Sequence, residues 1–216
     1  MQLIDTETSL VILGNWNPAI LQPDWLVRHG FDTEAELAVQ LEFSPIAGIP
    51  PRFTIEGLRI LATNDHVLLN PEQTTVHFLE LTENVGRSML HRLSHTPIRA
   101  FGQNFQFSEE NVSQDFARLF DISDNLAEQL NFPIDVRDTT LISSYGIGET
   151  TLNFTRKLLA DGTARLNFNF HYDVTSASNA RELLEGSFVQ NFEKTNQIVD
   201  IYSALNADTQ LEQNHG

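Results

Sequence analysis

Two histidines four residues apart, in the run His91-Arg-Leu-Ser-His95, have the spacing that puts two imidazoles on one side of a helix, where a metal ion could be held. A zinc-hydrolase helix would carry a glutamate directly after the first histidine. Arg92 stands there instead, and no third ligand is close in sequence. The pair reads as the basic end of a helix, where positive charge suits the exposed carbonyls. No metal and no cofactor is expected. Gly146-Ile-Gly148 has the look of a phosphate loop, but a phosphate loop must open a helix, and a strand pattern follows here. Ser143, Ser144, His171 and Asp173 supply the residue types of a hydrolytic triad without a spacing that singles them out. Glu34/Glu36, Glu109/Glu110 and Glu182/Glu185 read as solvated helix faces.

The residues that stand out are amides. Phe101-Gly-Gln-Asn-Phe-Gln-Phe107, Thr151-Leu-Asn-Phe-Thr155 and Arg165-Leu-Asn-Phe-Asn-Phe-His-Tyr172 each alternate a large apolar residue with a short polar one. Period-two alternation marks a strand with one buried and one solvated face. On the hairpin the polar face presents Asn153, Thr155, Lys157, Asn167, Asn169 and His171, and the strand over 98–107 adds Asn104 and Gln106. Amides both donate and accept and desolvate more cheaply than charges. Such a face can hold a polar partner or pair with another subunit, and an open antiparallel sheet in water has the same pattern.

Net charge sharpens that choice. The chain has a formal charge of -16, so a polyanion would be repelled unless basic residues were segregated, and nucleic-acid binding is not expected. With 41% hydrophobic residues and 15 Phe, the 216 residues can bury a core without staples. There is no cysteine, which excludes disulfides and thiolate zinc sites and fits a reducing compartment. Met1-Gln-Leu-Ile-Asp-Thr-Glu lacks the basic start of a signal peptide, and no window approaches a membrane span. A cytoplasmic protein without membrane attachment is expected.

The elements that must position these residues follow from pattern. Leu10-Val-Ile-Leu-Gly14 reads as a buried strand, and Val39, Leu41 and Phe43 alternate in another. Strands at 53–57, 58–62 and 66–70 follow, the last two joined at Asn64-Asp65. A helix over 82–93 puts Val85, Met89, Leu90 and Leu93 on one face, weakened by Gly86. Ser108 with Glu109 and Glu110 reads as the start of a helix through Phe120, and Ser123 as the start of another, stopped at Pro133. Leu141 to Ile147 reads as a strand. In the hairpin, Asp161-Gly-Thr163 as a three-residue loop with Gly162 left-handed pairs Phe154 with Phe170 and Thr155 with Asn169. Leu184, Phe188, Phe192, Thr195, Val199 and Tyr202 define a long amphipathic helix, with a break at Gly186-Ser187.

Strands and helices come in runs without βαβ alternation. The expected fold is therefore α+β, with mostly antiparallel sheet, helices 82–93 and 109–131 packed beside it, and the long C-terminal helix over an apolar sheet face. Lobes at 1–95 and 96–206 should share one core, followed by a frayed tail at 207–216. The expected function is a non-catalytic interaction or assembly protein, homo-oligomeric through the 153–171 face, the C-terminal helix or both. The alternatives are a hydrolase assembled from scattered residues and a small-molecule carrier with a Phe-lined pocket.

Overall fold

The computed structural model describes the backbone of residues 1–43, 50–110, 112–120 and 137–213, and the side chains of these apart from 114, 115 and 207–213. The fold is α+β, with ten antiparallel strands in one sheet. The strands are β1 (Gln2–Leu3), β2 (Ser9–Gly14), β3 (Val39–Glu42), β4 (Arg52–Ile55), β5 (Leu58–Ala62), β6 (His66–Pro71), β7 (Ile98–Glu109), β8 (Thr139–Ile147), β9 (Thr150–Leu158) and β10 (Ala164–Asp173). Besides short helical turns at Asp5–Glu7, Pro23–Trp25, Leu26–Gly30 and Arg118–Phe120, the helices are α1 (Val76–Arg92), α2 (Gln114–Ala117), α3 (Ala177–Leu184) and α4 (Ser187–Gln213). Across the sheet the order is β3-β4-β5-β6-β2-β7-β10-β9-β8, with β1 also on β7. Two meanders, β3 to β6 and β8 to β10, thus flank the central pair β2 and β7. Because β7 lies between β2 and β10, the halves of the chain share one sheet and one apolar cluster.

Alternation decides which face is covered. Leu10, Ile12, Phe101, Phe105, Phe107, Leu152, Phe154, Leu166, Phe168 and Phe170 are buried on one face, against Leu79, Val85, Met89, Leu184, Phe188 and Val199 of the helices. The rings pack on each other: Phe154 stacks on Phe168 at 4.7 Å between centroids, and Phe101 stacks on Tyr172 at 4.4 Å. Gly86, a weak residue for a helix, is where α1 comes closest to the sheet. A Cβ there would stand 3.0 Å from Leu10 and 3.3 Å from Leu184. Helix α1 begins earlier than its apolar stripe suggests, at Val76, because the Thr75 hydroxyl caps the Phe78 amide.

Two elements depart from expectation. Ser108 starts no helix: β7 continues to Glu109 because Arg165 of β10 still opposes Ser108, and helix α2 begins at Gln114. The segment expected to be helical beyond Phe120, including Leu126 and Leu130, lies outside the described residues. The hairpin register also differs. Phe154 opposes Phe168, and Asn169 opposes Asn153, two residues from the expected pairs. The loop does have three residues and Gly162 is left-handed at φ 80, but it is Ala160-Asp161-Gly162, closed by a hydrogen bond from Leu159 N to Thr163 O. Asp161 accepts from the Thr163 amide at 2.9 Å, an Asx turn that moves the loop back by one position. A two-residue shift keeps every side chain on its face.

The C-terminal helices break where Gly186 takes φ 70. Buried Glu83 of α1 crosses to that break and accepts from the amides of Gly186 (2.6 Å) and Phe188 (3.2 Å), capping α4 from another element. Burial raises the Glu83 pKa above the ordinary carboxylate value, against the pull of the two N–H donors. The folded chain therefore holds that proton more tightly than the unfolded one. Stability attributable to Glu83 is greatest below the unfolded pKa and is lost as pH rises through the folded one. Measured by urea unfolding, wild type should lose stability relative to Glu83→Gln as pH rises through that range; a pH-independent difference would contradict it. Phe168→Ala, which removes a ring 1% exposed, should cost about 3–5 kcal/mol in the same assay.

Candidate functional site

The face away from the helices is left uncovered by the helices of the described residues, and all eight residues expected there sit on it. Asn104, Asn169 and Asn153 oppose one another on β7, β10 and β9, while Gln106, Asn167 and Thr155 form the next row. His171 lies between Gly102 and Thr151. The first row extends beyond the three asparagines. Ser144 opposes Asn153 on β8, and Ser9 opposes Asn104 on β2. Asn70 continues the β6–β2 register opposite Ser9, then come Arg59 and Thr54, and Gln40 closes the row on β3. One transverse line of nine positions, one per strand, is polar throughout and charged only at Arg59.

Five of the nine are joined by hydrogen bonds running in one direction. Ser144 Oγ donates to Asn153 Oδ1 (2.8 Å), Asn153 Nδ2 to Asn169 Oδ1 (3.2 Å), Asn169 Nδ2 to Asn104 Oδ1 (2.8 Å) and Asn104 Nδ2 to Ser9 Oγ (3.0 Å). Each amide spends one donor and one acceptor on its neighbours and keeps one of each in reserve. The row is thus held rigid while still able to bond outward. Gly102 makes it possible: a Cβ there would stand 2.9 Å from Asn169 Nδ2, so only glycine lets that side chain fold down into line.

Two adjoining clefts lie along the row and share Glu7 and Ser9. One, of about 330 Å³, is lined by Asn104, Gln106, Asn153, Thr155, Asn167 and Asn169. The other, of about 280 Å³, is lined by Arg52, Arg59, Leu61, Leu68 and Asn70. Each contains an enclosed polar atom without a hydrogen-bond partner, Asn167 Oδ1 in the first and Arg59 Nε in the second.

The other chemical candidates are engaged elsewhere. His91 Nδ1 faces Arg181 Nη1 at 3.0 Å, and His95 lies past the end of α1. Among the described residues no three His, Cys, Asp or Glu side chains gather as a metal site would need. His171 Nε2 is 3.2 Å from Asp173 Oδ1, but Ser144 gives its proton to Asn153, and Ser143 lies on the opposite side of β8, opposing Phe154. Between sheet and helix, the Phe rings contact one another, Phe105 meeting Phe170, Phe188 and Phe192. No helix among the described residues is long and apolar enough to cross a membrane. Compared with models of known protein families, with curated proteins and with solved structures, the chain matches none.

Sequence reading missed Ser9, Arg59, Asn70 and Ser144 as members of the site, because they come from four strands with no Asn-Phe text. Each has the parity of the open face within its own strand, and that was the available signal. Gly102→Ala should break the Asn169–Asn104 bond. The side-chain amide resonances of both asparagines should move while the fold persists; unchanged resonances would show that the glycine is not required.

Proposed function

We propose that this is a non-catalytic interaction and assembly protein, in which copies of the chain join at β8 and the open sheet face receives a partner. The observation that carries the reading is the edge strand itself. β8, Thr-Thr-Leu-Ile-Ser-Ser-Tyr-Gly-Ile, runs for nine residues without a charge, in a chain whose acidic groups outnumber its basic ones 29 to 13. Its outer side has no strand partner among the described residues, and Ile142 and Tyr145 are 71% and 50% exposed. The opposite edge, β3, is four residues long and ends in Glu42. Long, uncharged, unpaired edges are templates for strand addition, which monomeric proteins ordinarily blunt with charge.

Self-association of so acidic a chain must occur where charge is sparse, with acidic groups kept to the rim. Antiparallel pairing of β8 with its copy about a two-fold at Ser144 meets that requirement. It sets Ser143 opposite Tyr145 of the second copy and Ile142 opposite Gly146, with no like charges facing. It also leaves the two amide rows end to end across one continuous sheet, so the open face stays available. The strand positions of the face carry Arg52, Arg59, Lys157 and Arg165 against Glu42 and Asp173, with Glu7 beside both clefts, so it lacks the acidic excess of the chain as a whole.

Sedimentation at micromolar protein tests the assembly. Wild type should run at twice 24.4 kDa or more. Ser144→Glu, which places two carboxylates at the two-fold, should shift it toward monomer with an unchanged circular dichroism spectrum. A wild type that sediments as a monomer would sink the reading.

A further inference from the structure

We infer that the open face binds an extended, acidic polypeptide segment laid across the strands along the amide row, with a carboxylate of that segment held by Arg59. The inference rests on the reading of this face as a binding surface and names the partner it takes.

Arg59 and Arg52 are diagonal neighbours on β5 and β4, since Arg59 opposes Thr54 and Arg52 opposes Leu61. Two like charges at that spacing repel each other, and an anion beside them relieves the repulsion. Arg52 has a distant counter-ion in Glu42 at 3.9 Å, whereas Arg59 has no ion-pair partner among the described residues, and its Nε is enclosed without an acceptor. Glu7 lines the same cleft but makes no ion pair with Arg59 among the described residues, so the guanidinium keeps donors for an acceptor from outside. A carboxylate fits the guanidinium fork with two parallel hydrogen bonds. Leu61 and Leu68, half-buried in the same cleft, would contact the methylenes of an acidic side chain.

The rest of the row identifies the class. From Arg59 on β5 to Asn169 on β10 is four strand spacings, about 19 Å, the length of about six extended residues. Over that span the row offers Asn70, Ser9, Asn104 and Asn169, each able to donate and to accept. That is the demand of a peptide backbone, which presents N–H and C=O groups in turn. A ligand recognised through a flat ring would instead call for an aromatic platform. Among the described residues no strand position on the open face carries Phe, Tyr or Trp.

The probe is a hexapeptide blocked at both ends, Glu-Leu-Ser-Gln-Ser-Gln, titrated to millimolar concentration into the whole isotope-labelled chain and followed by nuclear magnetic resonance. Its counterpart with Gln in place of Glu and the Arg59→Gln protein complete the design. The Glu peptide should shift the Arg59 Nε–H resonance and the side-chain amides of Asn104 and Asn169. Loss of the carboxylate, or of Arg59, should each weaken binding about tenfold, the scale of one charge-assisted contact. The Arg59→Gln backbone spectrum should otherwise superpose on wild type. Absence of shifts, equal binding of the Glu and Gln peptides, or equal binding by Arg59→Gln would overturn the proposal. Arg59 is far from β8, so Arg59→Gln should sediment as wild type does. Failure of the peptide test is thereby separable from failure of assembly at the edge.

Discussion

Gln103 and Asn191 are both fully buried, and they meet in the middle of the apolar layer between sheet and helix. Asn191 Nδ2 donates to Gln103 Oε1 and to the Tyr172 hydroxyl, each at 2.7 Å, and Gln103 Nε2 donates to Ser187 Oγ at 2.7 Å. Ser187 in turn donates to the Leu184 carbonyl, and Lys194 donates to Asn191 Oδ1. Hydrophobic contact would let α4 slide or rotate over a surface of Phe rings. This network does not, because any slip leaves buried donors and acceptors unmet at about 1–3 kcal/mol each. The helix, β7 and β10 are thereby fixed in one arrangement, and Glu83 fixes the break between α3 and α4 from the other side.

That clamp also holds the helices of the described residues together on one face of the sheet. Glu83 joins α1 to α4, Ser187 joins α4 to the end of α3, and Gln103 joins α4 to β7, so the three helices lie as one layer on the Phe side. The other face keeps its short polar side chains in line. A rigid sheet backed by a fixed layer is what allows nine side chains from nine strands to form a straight row, and Gly102 leaves the space for it. The chemistry of the face is therefore a product of the core behind it.

Much of this was legible in the alternation. Phe154, Phe168 and Phe170 inward and Asn153, Asn167 and Asn169 outward follow from period two, and the break at Gly186-Ser187 follows from the glycine. Other features were missed or misread for physical reasons. Gln103 has the parity of Phe101, Phe105 and Phe107, so it had to face inward, yet an amide on that face makes sense only once Asn191 is opposite it. Ser108, Glu109 and Glu110 are good helix-starting residues, but the strand pairing of β10 with β7 outweighed their local preference. In the hairpin, the Asx turn at Asp161 decided the register within a set of pairings that apolar matching alone could not separate.

The sequence by itself determined the α+β class, the faces of the strands, the helical stripe and the scarcity of charge on the Asn-Phe strands, because these depend on neighbours two to four residues away along the chain. Only the tertiary structure decided that β2 and β7 join two meanders into one sheet. That pairing set Arg59, Asn70, Ser9 and Ser144 in line with the asparagines and left β8 as an uncharged edge. These are relations between residues far apart in the chain, Ser9 and Asn169 among them, and side chains that recur every second residue say which face they take but not which strand lies beside them.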